Sequence, residues 1–210
     1  MAESPEQVLK FLQDLADRSM PAARAEYAEL QAYARDQGLD ELEPWDIAYY
    51  SEKLRQHKHD ISQEQLKPYF PAPRVVSGMY TLMRRLFGLD IRETENRDVW
   101  HPDVRFFEIH DQTGTHRGSF YLDLYARRSK RGGAWMDECR VRKRDGDRLQ
   151  LPVAYLNCNF SPPVDGKPSL LTHSEVNTLF HEFGHGLHHM LSAVDYAGVS
   201  GINGVAWDAV

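Results

Sequence analysis

The chain has 210 residues, 41% hydrophobic and 27% charged, with 25 Lys and Arg against 31 Asp and Glu, a net charge of −6. That size accommodates one sizeable domain or two small ones, and the acidic balance argues against a nucleic-acid surface. Cys139 and Cys158 make no disulfide framework, the first residues carry no basic apolar leader, and no run reaches membrane-spanning length, so a cytoplasmic protein with no membrane association is expected.

Ser4-Pro5-Glu6-Gln7 is a helix start: an N-cap, then Pro in the first turn, then acid. Val8, Phe11, Leu12 and Leu15 give this helix its apolar face, and Ser19-Met20-Pro21 is expected to break or restart it. A second helix follows from Ala22 to Gln37 and stops at Gly38, with Tyr27, Leu30 and Ala34 inward. The two read as an antiparallel pair. A third helix runs from Trp45 to His57 on Ile47, Tyr50 and Leu54, with His57 and His59 at its solvated end. Ser62 to Leu66 makes a short helical turn, and Pro68, Pro71 and Pro73 force an extended connection. Val75 to Phe87 is a strong helix ending at Gly88.

The period then changes from helical to alternating. Val104–Ile109 and Gly118–Tyr125 read as hairpin strands joined through Asp111-Gln112-Thr113-Gly114. Gly132-Gly133 precedes a short strand, Ala134–Met136, and Val153–Phe160 is a further strand with Cys158 as a small buried hydrophobe. The basic clusters Arg127–Arg131 and Arg140–Arg148 read as solvated hairpin ends.

Thr172 with Glu175 is a capping box that opens a helix from about His173 to Leu191. Val176, Phe180, Phe183, Leu187 and Met190 or Leu191 form its apolar stripe. Within it lies His181-Glu182-Phe183-Gly184-His185, an H-E-x-x-H. Residues four apart share a helix face, so His181 and His185 can offer two imidazole nitrogens to one metal ion. Glu182 can reach a water on that metal as a general base without binding the metal itself. His188 and His189 read as pointing along or away from the ligand face. Glu175, more than one turn before His181, cannot complete the site. The expected fold is α+β and mainly helical: helices over residues 1–90, a small, mostly antiparallel sheet over 100–170, and the H-E-x-x-H region over 171–210. That order is zincin-like. The strand after Gly133 is a candidate edge strand for pairing with a substrate backbone.

Thr172 to Leu191, together with Glu43-Pro44-Trp45-Asp46, Trp100-His101-Pro102-Asp103, Gly118–Ala126 and Lys130–Asp137, resembles the thimet oligopeptidase family of zinc peptidases along nearly the whole chain. The resemblance implies one zinc ion (Zn2+) held by His181 and His185, with Glu182 as catalytic base. It implies a cytoplasmic, monomeric endopeptidase acting on short oligopeptides. It also implies a third ligand, a Glu, just after Trp207-Asp208-Ala209-Val210, so these residues are expected to be an interior part of the catalytic domain and inactive alone. Asp208 would stand one turn before that Glu, outside the ligand set. The competing readings are a non-catalytic metal- or partner-binding module and a metallohydrolase acting on something other than peptides.

Overall fold

The computed structural model describes residues 2–59, 62–95 and 97–205; the Trp207–Val210 segment of the expectation above lies outside them. The chain divides into two compact units, one up to Gln65 and the other Leu66–Val205.

In the first unit α1 spans Pro5–Asp36 as one helix. The expected break at Pro21 is absent: Pro21 sits inside α1. A proline removes one helical hydrogen bond and strains one turn, and fourteen or more helix-forming residues on each side outweigh that local cost. So there is no antiparallel pair within this stretch. The apolar residues of its first half stay on the surface, with Phe11 63% and Leu15 52% exposed. Its second half packs on α2, Ile47–His59, through Leu30 and Ala34 against Leu42, Tyr50 and Leu54. His57 is exposed, as expected, with its ring against Tyr33.

In the second unit the proline-rich connection is shorter than expected. α3, Gln63–Leu66, ends on the first residue of this unit; a 3-10 turn follows, and α4 already starts at Ala72 because Pro73 falls in its first turn, where no hydrogen bond is lost. α4 runs to Phe87 and ends on Gly88 in the left-handed conformation. The strands are β1 Asp90–Glu93, β2 Arg105–His110, β3 His116–Tyr125, β4 Trp135–Arg140 and β7 Val153–Phe160, in the spatial order β1-β2-β3-β7-β4. The β3–β7 pair is parallel and the other three are antiparallel, so the sheet is mixed. The small hairpin β5 Lys143–Asp145 and β6 Arg148–Gln150 turns at Gly146. β1 escapes a pattern search because Asp90-Ile91-Arg92-Glu93 holds a single apolar residue.

Alternation along the strands decides the two faces of the sheet. Phe107, Ile109, Phe120, Leu122, Ala154, Leu156 and Cys158 point to one side and are buried there. α4 covers them with Val76, Met79 and Met83, and α5, His173–Met190, with Leu179, Phe183 and Met190. Across this core Tyr80 meets Phe107 and Phe120 edge to face, Phe120 meets Phe183 edge to face, and Phe107 stacks on Phe120. The opposite face carries Phe106, Tyr121 and Tyr155, with Trp100 laid against the two tyrosines.

Candidate functional site

α5 begins where the capping box places it. Thr172 Oγ1 accepts from the Glu175 N–H at 3.1 Å, and Glu175 Oε2 accepts from the Thr172 N–H at 2.7 Å. The helix then lies close on β7, because Gly186 has no Cβ: one built there would stand 3.0 Å from Leu156 Cδ2. The buried stripe is Leu179, Phe183, Gly186 and Met190, with Val176, Phe180 and Leu187 at its margins.

His181 and His185 lie one turn apart on the exposed side of α5, with ring planes at 87° and Nε2 atoms 3.1 Å apart. That separation suits an N–H···N hydrogen bond. It also suits two nitrogens sharing one ion, since Zn–N bonds of about 2.0–2.1 Å in a tetrahedral site put the donors roughly 3.3 Å apart. The donor set therefore fits a zinc ion. Among the described residues no group of three or more His, Cys, Asp or Glu comes together to hold a metal. Glu182, next to His181 in the chain, is 9% exposed. Burial, and after it the charge of Glu182, pushes the Cys158 thiol up to about 12, so Cys158 is an inert thiol beneath the helix.

β4 is an edge of the five-stranded sheet and packs against α5, the helix that carries His181 and His185. Two groups of residues that the sequence reading placed in solvent fix its surroundings. Asp123 on β3 is buried and accepts from Arg127 Nη1 and Nη2 at 2.7 and 2.6 Å, from Lys130 Nζ at 2.9 Å and from Trp100 Nε1 at 3.0 Å. Burial by itself would raise the Asp123 carboxyl. The Arg127, Lys130 and Trp100 donors outweigh it and hold the group below the ordinary carboxylate range. Lys130 also reaches the carbonyls of Tyr125 and Cys158. Within the Arg127–Arg131 cluster Arg128 and Arg131 are exposed, as expected, but Arg127 and Lys130 are not solvated: Asp123 supplies a buried counter-charge onto which the turn folds. The Arg140–Arg148 cluster does hold an exposed hairpin end, as expected, and Arg142 and Arg144 converge on Asp195, each at 2.8 Å, tying that hairpin to the loop after α5.

His189 points away from the face of His181 and His185, as expected. It is 1% exposed, and its Nε2 lies 2.9 Å from the carbonyl of Arg140, the last residue of β4. In the sequence its only signal is the spacing of one turn after His185. Asp123 and Lys130 gave no such signal, because no local pattern shows that the Asp123 side chain is buried and that the turn after β3 folds back onto it.

The sequence profile of peptidase family M3 matches residues 1–210. Over its whole length the chain is 62% identical to oligopeptidase A of Escherichia coli (strain K12) and 56% identical to oligopeptidase A of Haemophilus influenzae, covering 31% of each. Over 97% of its length it is 40% identical to dipeptidyl carboxypeptidase of Escherichia coli (strain K12), of which it covers 30%. The chain therefore spans about a third of the length of these relatives.

Proposed function

Because the chain belongs to peptidase family M3, we propose that it carries the zinc-binding helix and the substrate-pairing strand of an oligopeptide endopeptidase with a zincin-like core. The observation that carries this reading is the convergence of His181 Nε2 and His185 Nε2 to 3.1 Å on the exposed side of a helix that packs along an edge strand. The identity to oligopeptidase A along the whole chain supports peptides as the substrate class.

His181 and His185 would hold zinc through Nε2, as two of the three protein ligands such a site takes. When bound, zinc supplies a Lewis-acid centre that lowers the pKa of a water to about 7 and polarises a carbonyl. Glu182, the next residue round the helix from His181, takes the proton from the attacking water. It then delivers that proton to the leaving amine nitrogen, so one carboxylate serves as base and then as acid. The outer edge of β4 offers backbone N–H and C=O groups to an extended peptide. Strand addition there aligns the peptide without reading its side chains, which suits an enzyme acting on many short sequences. Residues 1–90, 100–170 and 171–210 are, in this reading, the helical part, the sheet and the zinc-helix region of a partial catalytic domain. The setting proposed is the cytoplasm; among the described residues no helix is long and apolar enough to cross a membrane.

Glu182→Gln in the protein as its gene encodes it tests the reading. The amide cannot accept the proton, so peptide turnover falls by at least about a thousandfold while zinc stays bound. Turnover within tenfold of wild type, with zinc still bound, removes Glu182 from the base role.

A further inference from the structure

We propose that His189 is a positioning residue, which holds edge strand β4 at a fixed offset from the His181–His185 pair so that a peptide added to β4 meets the site in register. This rests on the peptidase reading above. The three histidines stand on successive turns of α5. At 3.6 residues per turn each step of four residues rotates the side chain by about 40°, so His189 has turned from the exposed side, where His181 and His185 lie, toward the sheet. There it is buried, and its Nε2 and the Arg140 carbonyl are 2.9 Å apart. A carbonyl only accepts, so Nε2 carries the hydrogen and the ring is the donor.

The ring has nowhere else to go. Gly201 adopts φ 60° against it, and a Cβ there would stand 2.8 Å from His189 Nδ1 and 3.0 Å from His189 Cα. His189 Nδ1 makes no hydrogen bond. Among the described residues the one polar contact of this buried side chain is thus a tie between the helix bearing the candidate ligands and the end of the strand beside it. The start of β4 is tied separately, to the sheet. Asn159 Nδ2 on β7 donates to the carbonyls of Arg131 and Gly133, in the loop that leads into the strand. Of these two ties the His189 hydrogen bond is the one that joins β4 to α5, and it adds a fixed register to the apolar packing of Met136 against the core beneath the helix.

The experiment compares His189→Leu with His189→Gln in the protein as its gene encodes it. Leu fills the space without a donor, and the Gln amide can still donate to the Arg140 carbonyl. For each, kcat and KM on a short peptide, bound zinc, and hydrogen exchange of residues 135–140 are measured. Leu is expected to lower kcat/KM about tenfold to a hundredfold, chiefly through KM, with bound zinc unchanged and faster exchange in 135–140. Gln is expected to restore all three to near wild type. The proposal is overturned if Leu leaves exchange and KM unchanged, if Leu loses zinc, or if Gln behaves as Leu does. Absence of peptide cleavage by the zinc-loaded wild type would sink the peptidase reading instead. In that case the exchange of 135–140 in the two variants still decides whether His189 anchors the strand.

Discussion

Replacing Lys130 by Met should be among the most damaging single changes to the second unit. The Lys130 side chain is 6% exposed, and its Nζ donates to Asp123 Oδ1 and to the carbonyls of Asp123, Tyr125 and Cys158. Met keeps most of the apolar stem and removes the charge and the donors. Taking one partner from a buried ion pair costs about 3–5 kcal/mol, because the other charge stays buried. Here Arg127 and Trp100 still donate to Asp123, which places the loss near the lower end, about 3 kcal/mol. In a domain of this size that lowers Tm by roughly 6–12 °C. Urea unfolding followed by tryptophan fluorescence reads the loss directly, with exposed Arg128→Met as the control, expected within about 0.5 kcal/mol of wild type. Asp123→Asn and the double variant complete a cycle, in which the two single losses should exceed the loss of the double variant by more than about 1 kcal/mol. A Lys130→Met loss below about 1 kcal/mol, or additive losses in the cycle, would refute a buried charge cluster as the support of the β3–β7 pair.

Acid should act through the same cluster. The folded Asp123 carboxyl titrates below its unfolded value of about 3.9, so its contribution is full above that pH and is lost as pH falls toward the folded value. Asp123→Asn should flatten the fall in stability below about pH 4, and an unchanged slope in that variant would count against it. Gly201→Ala combines a left-handed φ of 60° with backbone of His189 3.0 Å from the new Cβ, and should cost about 2–5 kcal/mol in urea unfolding. A loss below 1 kcal/mol would mean that this loop moves freely away from His189. Zinc titrated calorimetrically into the 210-residue chain should bind weakly, and His185→Ala should abolish the binding, because His181 and His185 are two donors where a catalytic site uses three. Tight one-to-one binding would reveal a third donor within the chain, and Asp208 would be the first residue to replace.

What the sequence determined by itself is what depends on neighbours along the chain. The capping box at Thr172, the helix from His173, the facing of His181 and His185, and the alternating strands at Gly118–Tyr125 and Val153–Phe160 all follow from bonds and periodicities spanning four residues or fewer. The misreading at Pro21 belongs to the same range: a local rule weighed one lost hydrogen bond without the long helix on both sides of it. Tertiary structure decided the pairings between distant residues. That β7 inserts between β3 and β4, leaving β4 as the edge beside α5, is a matter of strand order, which periodicity does not encode. Which basic residues are buried was settled in the same way. Lys130 and Arg127 look like any solvated cluster until Asp123 is found beneath them, and His189 looks like a surface histidine until the Arg140 carbonyl, 49 residues away, meets it. A buried charge or ring is stable only where its partner waits, and the fold brings those partners together.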